Sequence, residues 1–278
     1  MKYDRYFNGI CLVLIFPLIV WLVGPLLWMG LLSFRPISNI ISGLGTLTSN
    51  EFTLENYFVA VNQTDLLVWL KNTAIVTLVS TFICCFLGVL GGYAMARFYS
   101  KKMAFVSLIM LASQIFPEPL LAIPMYMMML TLGLTKYPFI CLIITFISMG
   151  LPYATWMLAN YIRLIPVDLE ESAMIDGCTR FQSVFRIILP VIGPGAAAAF
   201  IFVFLTAWGD FLWPLIFTNK SSDFLLSVGL LGYSGDMASL EWGTLIAMST
   251  VYALPAIILF YFLEKRMVGG LAAGAVKS

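Results

Sequence analysis

The sequence contains no histidine, and only 10% of its 278 residues are Asp, Glu, Lys or Arg. Histidine is the commonest general base and metal ligand, so its absence excludes Ser-His-Asp catalysis, zinc-protease sites and histidine-ligated haem. The low charge excludes a soluble domain, in which about 25% of residues are charged. Because the formal net charge is only +1, we expect no nucleic-acid partner.

Cysteine is also scarce, and no two cysteines have the C-x-x-C spacing of a redox or metal site. Four of the five lie in long apolar runs and the fifth lies in a polar loop: Cys11, Cys84, Cys85, Cys141 and Cys178. We interpret them as small apolar core residues. We therefore expect no metal site, no disulfide framework and no cofactor bound by this chain.

Long hydrophobic runs dominate the sequence, which is 61% hydrophobic with a mean hydropathy of +0.98. A membrane-spanning helix needs about 20 predominantly apolar residues. Six runs meet that length, at 8–32, 68–95, 103–132, 137–160, 191–217 and 243–264. The first is predicted to be a retained span, since it is longer than a signal-peptide core and no A-x-A site follows. The predicted fold class is an all-α polytopic membrane protein with six transmembrane helices in the lipid of the cell membrane.

The positive charges predict the orientation of these spans, because Lys and Arg near span ends stay cytoplasmic. Most of the 15 Lys and Arg residues fall in one set of alternating loops. The exceptions are Arg35, Lys71, Lys136 and Lys220. This distribution predicts that both termini are cytoplasmic and that the loops 33–67 and 218–242 lie outside. In the second span, Gly88 and Gly92 form a G-x-x-x-G pair, which predicts close helix packing.

The polar segment from Tyr161 to Pro190, between the fourth and fifth spans, is too organised for a simple linker. Two capping pairs and an intervening glycine mark its helix ends, namely Asp168 with Glu171, Thr179 with Gln182, and Gly177. They predict short helices at 169–176 and 180–189, the second ended by Pro190.

The second of these helices has one apolar face, formed at helical spacing by Phe181, Val184, Phe185 and Ile188. Such a face must be buried against the membrane domain, against a partner protein or on the lipid surface. The residues alone leave these alternatives open.

This segment resembles the EAA loop of binding-protein-dependent ABC importer permeases, whose pattern is E-A-A, three residues, G, nine residues, I-x-L-P. The matching residues keep every spacing, and they are Glu171, Ser172, Ala173, Gly177, Ile187, Leu189 and Pro190. The one departure is Ser172, where the family has alanine. Segments at 52–57, 123–126, 132–134, 208–215 and 270–277 are similar to the maltose-type carbohydrate branch, although Gly209-Asp210 stands where that branch often has Asn-Glu.

The resemblance implies the type I ABC importer permease fold in a subunit that is not an enzyme. The sequence contains no G-x-x-x-x-G-K-[ST] phosphate loop, so ATP and Mg are expected on a partner ATPase. In the family, the EAA loop docks in a cleft of that ATPase. Here the resemblance would give Gly177 the turn, Phe181 and Phe185 the buried face, and Glu171 and Asp176 polar contacts with the ATPase.

The resemblance also implies partners: a second permease subunit, two ATPase subunits, an extracytoplasmic solute-binding protein and a small sugar substrate. The corresponding domain division is an N-terminal helix and outer loop (1–67), a core permease domain (68–265) with the coupling loop 161–190, and a cytoplasmic tail (266–278).

A candidate translocation path follows from polar residues inside spans. Glu118 and Asp210 are the only carboxylates well inside the runs, and such groups are rare unless they face a cavity or a partner. Thr206 and Trp213 are predicted to lie on one helical face with Asp210 at its edge, and that face suits the hydroxyls and C–H faces of sugars. A purely structural role for Glu118, and sugar binding by the companion permease instead, remain open.

Other functions compete with the sugar importer. One is a type I importer for another solute, such as a polyol or glycerol phosphate. Another is a secondary transporter that uses Glu118 and Asp210, although such folds usually show an internal repeat, which we do not find in the six runs. A structural membrane protein would leave the capped hairpin without a purpose. A membrane enzyme lacks the required motifs.

Overall fold

The computed structural model describes residues 2–36, 51–98, 100–234 and 241–275, and every regular element within these ranges is helical. Parts of the predicted outer loops (37–50 and 235–240) and the end of the predicted tail (276–278) lie outside the described residues.

The helices follow one another along the chain and are connected mostly by short turns. They are α1 (Lys2–Leu32), α2 (Glu55–Gln63), α3 (Leu66–Arg97), α4 (Lys101–Ser113), α5 (Glu118–Thr131), α6 (Pro138–Arg163), α7 (Asp168–Ile175), α8 (Arg180–Val191), α9 (Gly193–Trp208), α10 (Leu212–Phe217), α11 (Leu226–Ser234) and α12 (Trp242–Ala275). Single 3₁₀ turns occur at Leu134–Lys136 and Ser221–Asp223.

Four of these helices, α1, α3, α6 and α12, are long and apolar enough to cross a membrane, and they match the first, second, fourth and sixth predicted runs. The third run is broken, since α4 and α5 meet at 106°. Pro117 and Pro119 lie at this break and lack the N–H groups that a continuous helix needs. The fifth run is divided among α8, α9 and α10, and α8 meets α9 at 86°. By length and composition, the described residues therefore hold four candidate spans, or up to six if each bent pair is one span; the six-span topology stays a prediction.

The chain forms two compact units, 1–67 with 229–254 and 68–228 with 255–278. Within the first unit, the Asn56 side chain fastens α2 to the end of α1. Its amide donates to the carbonyl oxygens of Ser33 and Arg35, each at 2.9 Å. Gly243 lies directly against Asn56, so that a Cβ at residue 243 would collide with this amide. The functional division of the chain at 67 and 265 stays a prediction.

The second unit is built on close contact between α3 and α6. A Cβ at Gly92 would lie 3.0 Å from the backbone nitrogen of Ala159, and one at Gly88 would lie 3.3 Å from the Cβ of Ala154. Both distances are shorter than ordinary side-chain contacts, so the two glycines allow the helix backbones to approach. The predicted G-x-x-x-G packing is therefore confirmed.

Candidate functional site

Helix α7 begins one residue earlier than the sequence predicted. Its N-cap position is Val167, which already has helical dihedral angles and carries no polar side-chain group. Asp168 is therefore the first helical residue, and the prediction that it caps the helix is wrong. Asp168, Glu170 and Glu171 instead place three carboxylates in the first turn, where the helix dipole favours negative charge.

The turn between α7 and α8 depends on Gly177, whose φ of 89° lies in the left-handed region. The N–H of Cys178 donates to Ala173 O at 3.0 Å, and the N–H of Gly177 donates to Met174 O at 3.1 Å. These two bonds form a Schellman motif, which satisfies the last carbonyls of α7. The prediction of a left-handed glycine here is confirmed.

Helix α8 begins with the predicted capping box. The Thr179 hydroxyl accepts from Gln182 N at 3.3 Å, and the Gln182 side chain accepts from Thr179 N at 2.9 Å. Pro190 does not end the helix as predicted, because the chain widens into a π turn over Val184–Ile188. Leu189 N bonds to Val184 O, five residues back. This register accommodates the proline, which has no N–H to donate.

The apolar face of α8 packs on the protein's own helices. Val184 and Ile188 are fully buried in a cluster with Val89 of α3 and Leu158 of α6. Phe185 is half-buried and its ring stacks on Phe86 at 5.7 Å between centroids. The face is therefore covered by the membrane domain, which was one of the alternatives that the sequence left open.

The predicted position of Phe181 needs correction, because this side chain is 58% exposed. Phe181 is the first of the four apolar positions, and its ring lies 4.8 Å from the Phe185 ring between centroids. Of the other motif residues, Ala173 is buried, Ile187 and Leu189 are half-buried, and Pro190 is exposed.

The exposed surface of the hairpin formed by α7 and α8, together with the segment before it, combines apolar and acidic side chains. Ile175 is 85% exposed, the highest value among the large apolar side chains of this segment. The other exposed members of this surface, which we call the outer surface, are Leu164, Leu169, Glu171, Ser172, Asp176 and Phe181. Exposed apolar groups outside the spans are typical of a protein interface.

A buried ion pair fastens the hairpin to the spans, and the sequence analysis missed it. Glu170, which is 3% exposed, receives the guanidinium of Arg97 at one carboxylate oxygen and the Tyr93 hydroxyl at the other. The pair joins residues 73 positions apart, so no local spacing indicates it. One local signal could have indicated that Glu170 is buried: Glu170 and the small Ala173 share one face of α7, opposite Glu171.

The four predicted pathway residues come together in one pocket of the second unit. Glu118 begins α5 after the break, and Thr206 lies on α9. Asp210 lies in the connection between α9 and α10, and Trp213 lies in the first turn of α10. All four line this pocket, and the other lining residues are Phe146, Met149, Gly150, Val203 and Ala207. The lining thus combines two carboxylates, a hydroxyl and an indole with an apolar wall.

Some polar groups in this pocket have partners within the protein. Asp210 Oδ1 accepts from Trp213 N at 2.9 Å, and Thr206 Oγ1 donates to Phe202 O at 2.8 Å. The Trp213 side chain is 1% exposed, and within the described residues its indole N–H has no acceptor. A buried donor without an acceptor is costly, so an acceptor on a ligand or on water would be favoured at this N–H.

Comparison with known proteins places these features in a family. The family described as "Binding-protein-dependent transport system inner membrane component" matches residues 88–269. Inner membrane ABC transporter permease protein YcjP of Escherichia coli is 34% identical over 274 residues, covering 98% of this chain and 95% of that protein. Diacetylchitobiose uptake system permease protein DasC of Streptomyces coelicolor is 30% identical over 276 residues, covering 99% of this chain and 98% of that protein.

A solved structure has the same fold at low sequence identity. It is the crystal structure of a bacterial ABC transporter involved in the import of the acidic polysaccharide alginate. One of its chains has a TM-score of 0.80 and 18% identity, and the match covers 95% of this chain and 98% of that chain. The residues of α7, α8, α9 and α10 all lie within the region matched by the family.

Proposed function

Because the chain belongs to the family of inner-membrane components of binding-protein-dependent transport systems, we propose that it is the permease subunit of an ATP-driven sugar importer. In this proposal the chain forms half of a translocation pathway across the cell membrane. It couples to a separate ATPase subunit through the α7–α8 hairpin. ATP and Mg²⁺ bind to that ATPase, while this chain binds no cofactor.

The observation that carries the coupling proposal is the two-sided construction of the hairpin. Its inner side is fastened by Val184, Ile188 and the Glu170 ion pair, whereas Ile175 and Phe181 remain exposed on the outer surface. The Schellman motif at Gly177 and the Thr179 capping box fix the turn between the two helices, so a displacement applied to the outer surface is passed on rather than absorbed. A partner that fits this surface needs an apolar cleft flanked by groups that bind Glu171 and Asp176.

The sugar class of the solute is supported by the names of relatives. The relative from Streptomyces serves diacetylchitobiose uptake, and another, from Halalkalibacterium halodurans, is named for arabinooligosaccharides. The pocket supports the same class, since Asp210, Thr206 and the Trp213 indole supply groups that hydrogen-bond hydroxyls or stack on sugar faces. We assign Glu118, Thr206, Asp210 and Trp213 to the pathway on this basis.

The remaining components follow from the importer class. Six spans with both termini in the cytoplasm would place the hairpin on the ATPase side of the membrane. A second permease completes the pathway, two ATPase subunits act on the two permeases, and an extracytoplasmic solute-binding protein delivers the sugar.

The experiment that tests this proposal is purification of the tagged chain from its native membrane in mild detergent, followed by mass spectrometry. We expect a P-loop ATPase and a second permease to co-purify in fixed ratio. The variant Ile175→Asp should lose the ATPase and keep the second permease, because it places a charge at the centre of the outer surface.

The matched control is Leu132→Asp, which changes an equally apolar side chain that is 62% exposed in the turn after α5. This variant should retain the ATPase. A chain that purifies alone would contradict the importer proposal. Retention of the ATPase by Ile175→Asp would contradict docking at the outer surface.

A further inference from the structure

The carboxylate of Glu170 is held by three donors from one helix. Arg97 Nε and Nη2 both reach Oε1, and the Tyr93 hydroxyl donates to Oε2 at 3.1 Å. Tyr93 and Arg97 are four residues apart in the last turns of α3, so they lie on one face of that helix. Both side chains of the ion pair are largely buried, with 3% of Glu170 and 10% of Arg97 exposed.

Arg97 joins more than two elements. Its Nη2 also donates to the carbonyl oxygen of Ile165 at 2.9 Å, in the segment between α6 and α7. A second contact supports the same junction, because the Arg180 guanidinium at the start of α8 lies 5.4 Å from the ring centroid of Phe98. The end of α3 is thus connected to the end of α6 and to both helices of the hairpin.

Stability alone is a weak reason for a buried ion pair. Burial removes water from both charges, and replacement of such a pair by apolar residues is often neutral or stabilising. The ion pair instead fixes the orientation of α7 against α3, because its hydrogen bonds require a defined geometry. Helix α7 cannot rotate or slide against α3 without breaking the bonds from Arg97 and Tyr93.

The packing of α8 lacks this directional character. Val184 and Ile188 are buried in an apolar cluster that also includes the Tyr93 ring, and apolar contact is non-directional. The hydrogen-bonded network is therefore the part of the hairpin that is best suited to transmit movement. Its position is also suitable, since Glu171, the next residue, is exposed on the outer surface.

We infer that Glu170, Arg97 and Tyr93 are positioning residues that transmit movement of the docked hairpin to α3 and α6. This inference rests on the proposed function, and it is separate from docking because none of the three residues belongs to the outer surface. Loss of the network should leave the ATPase bound and active while the pathway stops responding to ATP.

The test uses the complex that co-purifies with the tagged chain, reconstituted in lipid nanodiscs. The substitution Thr206→Cys places a reporter thiol in the pathway. Labelling by a fluorescent maleimide is followed without nucleotide and after trapping with ATP, Mg²⁺ and vanadate. The same complex without the reporter gives the background from the native cysteines. The network is removed by the paired change Arg97→Met and Glu170→Met, which leaves no buried unpaired charge.

With the network intact, we expect trapping to change the labelling rate about tenfold, within the usual range of coupling between distant sites. The paired variant should retain the ATPase and ATP hydrolysis but lose this change. The control is Arg163→Met, since the hydrogen bonds of Arg163 within the described residues are to Asn160 of α6 and to the carbonyl of Met95 of α3. This control should keep the tenfold response.

A full response in the paired variant would overturn the inference while leaving the proposed function intact. Absence of any ATPase from the complex with an intact network would instead overturn the proposed function. If the paired variant does not accumulate in the membrane, Glu170→Gln is measured in the same way, because it removes the charge and keeps the size. An unchanged response in Glu170→Gln would likewise overturn the inference.

Discussion

Glu170 and Glu171 are adjacent in the chain but have opposite surroundings. Glu170 is buried against Arg97 and Tyr93, whereas Glu171 is exposed on the outer surface. The helical period separates successive side chains by about 100°, so two neighbouring carboxylates can serve an internal anchor and a partner surface. The sequence pattern identified Glu171 through the family motif, but the role of Glu170 depends on a residue in another helix.

At the residue scale, Gly177 provides a test of the hairpin turn. Any side chain at its φ of 89° is strained by about 1 kcal/mol, and a Cβ there would meet open space. We expect Gly177→Trp to keep a normal level in the membrane but to reduce recovery of the ATPase, because the indole would project from the docking surface. Recovery is measured by quantitative mass spectrometry of the purified complex.

The control for this prediction is Gly177→Ala, which has the same backbone strain but adds only a methyl group. A much larger loss of ATPase with Trp than with Ala would assign the effect to the surface, and equal losses would assign it to the turn. Normal recovery and normal coupling in Gly177→Trp would show that the turn does not lie in an interface.

Among the elements, local signals predicted the hairpin better than they predicted the spans. The Thr179 capping box and the Gly177 turn depend on residues within a few positions, and both were predictable. Pro117 and Pro119 indicated a kink in the third run, but hydropathy averages over the run and does not detect that the helix breaks into α4 and α5. The pocket residues Glu118 and Asp210 were found as rare charges in apolar runs, but their meeting depends on tertiary packing.

The contact between α3 and α6 gives a prediction at this scale. We expect Gly92→Val to lower the thermal stability of the detergent-solubilised protein, since its methyl groups would be forced against the backbone of Ala159. Overpacking of this kind costs about 1–3 kcal/mol. The measurement is a melting curve, obtained by size-exclusion chromatography of samples that have been heated to a series of temperatures.

The control is Gly24→Val in α1, where a Cβ would have no atom within 4 Å. That variant should melt close to the unchanged protein. Equal melting temperatures for Gly92→Val and Gly24→Val would contradict close packing of α3 on α6.

For the whole molecule, the distribution of Lys and Arg predicts the topology. A green fluorescent protein fused after Ser278 should fluoresce, because it would remain in the cytoplasm. Alkaline phosphatase inserted after Asn219, in the predicted outer loop, should be active, because it would lie outside. Phosphatase inserted after Cys178, in the hairpin turn, is the control and should be inactive. The reverse pattern would contradict both the orientation and the placement of the hairpin beside an ATPase.

The bend between α4 and α5 has a consequence for the life of the chain in the cell. A helix that stops at Ser113 and restarts at Glu118 interrupts the ladder of backbone hydrogen bonds, and a bilayer cannot supply partners to polar groups that such an interruption frees. Their cover must come from protein or from a water-filled cavity. An orphan copy of this chain would therefore present lipid with a surface that lipid cannot solvate. Under the proposed function, its abundance should then follow the supply of the second permease and the ATPase rather than the rate of its own synthesis.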